Sequence, residues 1–210
     1  MTQKSILLVG AGGHARACID VIEQQGRFVV VGLVGLSFEV GTRMLGYVVL
    51  GTDVELPALL REYAHALVTV GQIKTPELRM RLFDLLEHNG GEPPVIVSPR
   101  AYVSPHATLG AGTIVMHGAV VNAGAVVGRN CIINSHSLVE HDVVIADHCH
   151  IATAAAINSG VQIGAGTFIG SNSSVRQCIK IGERCVIGMG QRVLVDCEPG
   201  TRAPSPARPA

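Results

Sequence analysis

Two hydrophobic rhythms divide the chain. Over residues 1–96, short apolar runs alternate with helical patterns. Ser5–Val9 reads as a buried strand and Gly10-Ala11-Gly12-Gly13 as a tight turn. His14–Gln25 follows with Ala15, Cys18, Ile19 and Ile22 at helical spacing. Phe28–Val34 and Leu67–Val70 read as a second and a third strand. Thr75-Pro76 opens another helix, since proline is tolerated in a first turn, and Asn89-Gly90-Gly91 ends it. Leu78, Leu82, Leu85 and Leu86 line one face of that helix. The alternation predicts a small parallel-sheet α/β unit of Rossmann type.

From Val97 the period changes to six. Val97, Val103, Leu109, Val115, Val121, Val127, Ile133, Val139, Ile145, Ile151, Ile157, Ile163, Ile169, Val175, Ile181, Ile187 and Val193 are all aliphatic. Two positions earlier sits a small residue in most hexads, such as Ala119, Ala125, Cys131, Ser137, Cys149, Thr167 and Cys185. Strand side chains alternate faces, so both positions point inward. This predicts a parallel β-helix of hexapeptide repeats over residues 97–198. The repeat resembles the left-handed β-helix family, in which three hexads close one coil. That resemblance implies that residues 18 apart stack, placing Cys131 over Cys149 as reduced thiols inside the coil.

Composition narrows the function classes. Lys plus Arg equals Asp plus Glu, 16 each. A balanced chain lacks the basic face that nucleic-acid binding and polybasic membrane attachment require. Aromatics are 3% and Trp is absent, so the core is aliphatic and small, as in a narrow stacked-repeat interior. No apolar run reaches the ~18–20 residues of a membrane span. The stretch MTQKSILLVGAGG runs into a turn without a cleavage site, so the expected compartment is the cytoplasm. The six cysteines form no C-x-x-C pair, which argues against a zinc ribbon. Residues 199–210 are Pro-rich and expected to be unstructured past Gly200.

Two stretches carry candidate chemistry. Gly10-Ala11-Gly12-Gly13-His14-Ala15 matches G-x-G-x-x-A between a strand and a helix. Such a turn lets backbone approach a phosphate at a helix N-terminus; it also serves as a plain tight connection. NAD binding asks for an acid ending the second strand, to hold ribose hydroxyls. Here Val34-Gly35-Leu36-Ser37 follows, with no acid until Glu39, so another phosphate-bearing ligand such as a nucleotide-sugar fits better. The second stretch, NSHSLVEHDVVIADHCH, holds His136, His141, His148 and His150. All four are expected outside the narrow core, with His136 and His148 as surface residues. His136 and His141 have the spacing of two zinc ligands. Yet Gly118 and Arg100 stand where a third would come from neighbouring coils, so no metal is expected.

A GAGGHA turn on a small α/β domain, followed by hexads with Glu140-His141-Asp142 at a corner, resembles a family of sugar acetyltransferases. It comprises sialic-acid O-acetyltransferases and bacillosamine-pathway amino-sugar N-acetyltransferases. The resemblance implies an acetyl-CoA-dependent enzyme, a homotrimer with active sites between subunits. Its N-terminal domain would hold a nucleotide-sugar and its β-helix acetyl-CoA. It implies His141 as general base with Asp142 orienting it, and Asn134 near the acceptor amine. It implies His150 near the thioester, and Gly10, Gly12, Gly13 and His14 at the phosphates. Gly160, Gly170 and Gly188 are candidates for close approach of the pantetheine arm. Gly35-Leu36 departs from relatives that carry Asp-Asp or Asp-Lys against the nucleotide base. The expected reaction is N-acetylation of a UDP-linked 4-amino-4,6-dideoxy sugar for surface glycan synthesis. The alternatives are O-acetylation of sialic acid or a related nonulosonic acid, a non-catalytic nucleotide-sugar scaffold, and a zinc hydratase.

Overall fold

A computed structural model describes residues 3–203. The chain forms two compact units. One contains the residues up to Gly71 together with Glu77–Ser98; the other contains Gln72–Pro76 and the residues from Pro99 onward.

The first unit is an α/β layer structure. Its elements are β1 (Lys4–Val9), α1 (Gly13–Gln25), β2 (Phe28–Val34), β3 (Arg43–Met44), β4 (Tyr47–Gly51), α2 (Leu56–Glu62), β5 (Ala66–Val68) and α3 (Glu77–His88). The sheet order is β3-β4-β2-β1-β5, parallel except for the β3–β4 hairpin. Strands β1 and β5 are wholly apolar over their last residues and buried, as a sheet covered on both faces requires. Leu7, Val9, Leu56, Leu60, Val68, Phe83 and Leu86 form part of one core. Helix α1 ends at Gly26, whose left-handed φ of 69° lets its N–H reach the Ile22 carbonyl. The sequence reading omitted the hairpin and α2. Leu45 and Gly46, both at positive φ, form the hairpin's two-residue loop. Leucine is an unusual occupant of such a turn, so the strongest hairpin signal was missing.

The second unit is a left-handed parallel β-helix. Sixteen two-residue strands, from Tyr102–Val103 to Arg192–Val193, each end on one aliphatic residue of the six-residue period. Partners lie 18 residues apart, as in Val121 with Val139 and Ile133 with Ile151, giving three stacked sheets. From Val115 to Val193 the inward aliphatics are all buried. Cys131, Cys149 and Cys185 are fully buried as thiols, each donating to a main-chain carbonyl of the next turn of chain at 3.2 Å. Burial holds the Cys149 thiol well above its ordinary range, reinforced by the neighbouring Cys131.

From Gly112 to Gly190 each corner carries one residue at positive φ, three after the inward aliphatic: Gly118, Gly124, Asn130, His136, Asp142, His148, Ala154, Gly160 and so on. Asn, Asp and His tolerate this region better than most side chains. That accounts for His136 and His148 as corner residues. The stack also runs further than the sequence suggested. Arg202–Ala203 pairs with Val186–Ile187, so order continues past Gly200. The backbone of Pro199 packs over the bare Cα of Gly182, and Gly200 N–H donates to the Glu183 carbonyl. The rest of the Pro-rich tail lies outside the described residues. Among the described residues no helix is long and apolar enough to cross a membrane.

Candidate active site

The glycine-rich turn sits at the C-terminal ends of β1, β2 and β5, beside a cavity of about 260 Å³. Gly10 has φ of +119°, and a Cβ there would lie 2.5 Å from Cγ2 of Val70 and 3.0 Å from its nitrogen. Only glycine fits. Its N–H donates to Val34 at 2.8 Å and its carbonyl accepts from Thr69 Oγ1 at 2.7 Å, so the turn is tied to β2 and to the residue after β5. Gly12 and Gly13 face open space, and Gly12 caps α1 with no side-chain hydrogen bond and no acid in the first turn. The N-terminus of α1 brings about half a positive charge to the turn through the helix dipole. His14 lines the cavity and packs on Gly71. Gly10→Ala is expected to weaken nucleotide binding about tenfold or more, since strain of ~1–3 kcal/mol falls on the turn itself. Calorimetry with and without the variant measures it, and unchanged affinity would make the turn a plain connection.

Sequence reasoning missed three features of this cavity. Arg79 of α3, which the sequence reading did not single out, is 1% exposed and donates to the carbonyls of Val68 at 2.9 Å and Val70 at 2.8 Å. It fixes the chain end against which Gly10 is seated. Asp53 and Arg81 line the cavity as an ion pair at 3.0 Å. Glu39, from a 3-10 turn after β2, also lines it. The absence of an acid at the end of β2 therefore no longer separates a dinucleotide from other phosphate ligands. Nothing in the periodicity signals any of the three, because each is brought in by tertiary packing.

In the β-helix, His141 and Asp142 occupy the corner after Leu138–Val139. Nδ1 of His141 donates to Asp142 Oδ2 at 2.8 Å, and the two side chains are 59% and 71% exposed. Asp142 reaches its neighbour from the left-handed corner conformation, φ 59°. In the tautomer with Nδ1 as donor, Nε2 is the ring nitrogen that can accept a proton. Glu140 is held separately, accepting from Asn122 Nδ2 at 2.9 Å one coil away.

Asn134 and His150 meet in the next sheet. Asn134 Nδ2 donates to His150 Nε2 at 3.1 Å, while its Oδ1 accepts from the Ser135 N–H at 2.8 Å. His150 Nδ1 donates to the Gln72 carbonyl at 2.6 Å, and Phe168 packs edge-on against the ring at 5.2 Å. His150 points out of the coil as expected, but it is only 7% exposed. The segment Gln72–Pro76 lies over it, pinned by Gln72 Nε2 to the Gly166 carbonyl at 3.0 Å and by Arg202 to the Lys74 carbonyl at 3.4 Å. The expected helix start at Thr75-Pro76 accordingly shifts to Glu77. Both ring nitrogens are engaged, so His150 is a neutral imidazole in a defined tautomer.

The three corner glycines separate. Gly170 and Gly188 flank a groove of about 450 Å³ with Ile73, Phe168, Met189 and Arg202. A Cβ on Gly170 would lie 2.5 Å from the Gly188 carbonyl carbon, so coil stacking by itself demands glycine there. Gly160 is not among the residues lining that groove; its φ of +68° is the corner requirement. Among the described residues no group of three or more His, Cys, Asp or Glu side chains is placed to hold a metal ion.

Residues 5–86 match the PglD N-terminal domain family, and residues 160–190 match the bacterial transferase hexapeptide family (six repeats). No curated protein sequence matches the chain significantly. Among solved structures, the acetyltransferase domain of PglB from Neisseria gonorrhoeae FA1090, in complex with acetyl coenzyme A, is 28% identical with a TM-score of 0.88, over 100% of both chains. A histidine-to-asparagine variant of the perosamine N-acetyltransferase from Caulobacter crescentus, in complex with CoA and GDP-perosamine, is 31% identical with a TM-score of 0.89. That match covers 96% of this chain and 93% of the other. WeeI from Acinetobacter baumannii AYE, 21% identical with a TM-score of 0.84 over 95% and 96% of the two chains, shares the fold. The chain belongs to the hexapeptide-repeat sugar N-acetyltransferases of the bacillosamine and perosamine type, and is an acyltransferase.

Proposed function

We propose that the chain transfers the acetyl group of acetyl-CoA directly to the 4-amine of a nucleotide-linked 4-amino-4,6-dideoxy sugar, with His141 as general base. The observation that carries this is the His141–Asp142 hydrogen bond of 2.8 Å, which leaves Nε2 as an exposed acceptor. The amine nitrogen attacks the thioester carbonyl carbon. Its proton passes to His141 Nε2, the C–N bond forms, the C–S bond breaks, and the thiolate leaves to be protonated as CoA. Asp142 stabilises the imidazolium formed on the way. Direct transfer needs no covalent acyl-enzyme, and Cys131, Cys149 and Cys185 face the coil interior.

Asn134 is assigned to the acceptor amine, and His150, with its tautomer held by Gln72, to the thioester end. Gly10, Gly12, Gly13 and His14 are assigned to the diphosphate. The groove beside Gly170 and Gly188 is assigned to CoA. Asn134 and His141 lie on one coil on either side of the Leu138–Val139 strand, with His150 on the next coil beside Asn134. The family resemblance supports a site shared between copies of the chain. The working form is the homotrimer that the family resemblance implies, and the half-exposed outward row Val120, Leu138 and Ala156 offers it an apolar lateral face. The reading puts the reaction in the cytoplasm, on the route to a surface glycan, with uridine diphosphate the carrier that the family resemblance implies.

The test is CoA thiol release from acetyl-CoA with a UDP-4-amino sugar, a GDP- or dTDP-4-amino sugar, and free sialic acid. Turnover on a nucleotide-linked amine is expected. Turnover on sialic acid alone would replace the reading by O-acetylation.

A further inference from the structure

Strand β2 ends without an acid, yet the fold puts a carboxylate there. After β2 the chain makes one 3-10 turn, Ser37–Glu39, in which the Glu39 N–H donates to the Leu36 carbonyl at 2.9 Å. The turn folds the Glu39 side chain back, and its Oε2 accepts the Leu36 N–H at 2.8 Å. A Cβ built on Gly35 would lie 2.7 Å from that oxygen and 3.0 Å from Cβ of Ala11 in the glycine-rich turn. Glu39 thus fills the space a side chain at position 35 would take, and it lines the cavity. The bare Gly35 is what admits it.

A carboxylate at the end of the second strand, facing a glycine-rich turn, is placed to accept hydrogen bonds from ribose hydroxyls. An ionised carboxylate only accepts, and its two oxygens suit a vicinal diol. The diphosphate is drawn instead to the N–H groups of α1. The cavity's other acid, Asp53, is neutralised by Arg81 at 3.0 Å. We infer that Glu39 binds the 2′- and 3′-hydroxyls of the acceptor's ribose, so that the enzyme takes ribonucleoside diphosphate sugars and discriminates against 2′-deoxy carriers. This rests on the acceptor being nucleotide-linked.

Calorimetric titration with UDP, GDP and their 2′-deoxy counterparts tests it. The ribonucleotides should bind about 10–100-fold tighter than the deoxynucleotides, the range of one hydrogen bond to a charged group. Glu39→Gln should erase that difference by weakening only the ribonucleotides. Glutamine keeps a carbonyl oxygen for the Leu36 N–H, and the comparison on the unmodified protein needs no variant. Equal binding of ribo and deoxy forms would overturn the assignment. A Glu39→Gln loss confined to GDP and 2′-deoxy-GDP would overturn it too, putting the carboxylate on the base. Absence of binding by every nucleotide, from protein that still acetylates a free amino sugar, would remove the nucleotide-linked acceptor itself.

Discussion

His141→Ala lowers acetyl transfer by about 10²–10⁴-fold, the usual share of a positioned general base. The loss falls on kcat. Binding of acetyl-CoA and of the nucleotide-sugar stays near that of the unmodified protein, because an exposed corner side chain stabilises little of the fold. The His141–Asp142 pair is too exposed for its removal to cost more than a surface ion pair, about 0–1 kcal/mol. Single-turnover CoA release beside a melting curve separates the two effects. Asp142→Asn should retain more activity than His141→Ala, since the imidazole remains while its orienting charge is lost. A His141→Ala protein with full turnover would make the corner surface decoration and favour a base elsewhere.

The largest stability effect is expected at a residue with no chemistry. Gly164→Ala puts a Cβ against the backbone of the next coil, at 2.6 Å from the Gly182 carbonyl carbon and 2.8 Å from the Glu183 Cα. Stacked strands sit about 4.8 Å apart, and main chain cannot move aside without opening the coil. Overpacking of this kind costs about 3 kcal/mol, the upper end of its usual range. For a chain of this length that lowers Tm by about 6–12 °C. Gly190→Ala is the control. Unlike Gly164, it has positive φ, +69°, and nothing lies within 4 Å of its Cβ position. It should cost only the left-handed penalty of about 1–2 kcal/mol. A loss at Gly164 no larger than at Gly190 would mean that the coil contact yields and does not set the glycine requirement there.

The β-helix was readable because its interior repeats. A narrow coil admits one aliphatic and one small side chain per hexad, and each repeat sees the same environment as the last. The burial of Val121, Cys131 and Ile151 therefore follows from spacing alone. Strand β2 was read to the residue, because a sheet buried on both faces needs an unbroken apolar run. The β3–β4 hairpin was not, since Leu45-Gly46 is an uncommon turn pair.

At the candidate site the division is sharper. The glycine-rich turn and the Glu140-His141-Asp142 corner are local, so their residues and spacing carry their geometry. Arg79, Glu39 and the cover over His150 are not local. Arg79 looks like any helical arginine until the carbonyls of Val68 and Val70 close on it. His150 was read correctly as outward-pointing, yet the Gln72–Pro76 segment buries it and sets its tautomer from 78 positions away in sequence. Glu39 reaches the end of β2 only because the chain turns back over Gly35. Sequence alone determined the repeat, the α/β unit and the residues of both motifs, because periodic burial and tight turns are short-range constraints. Tertiary structure alone decided which carboxylate stands in the cavity beside the glycine-rich turn and which ring nitrogens are occupied. Those follow from contacts between segments whose separation along the chain leaves no periodic trace.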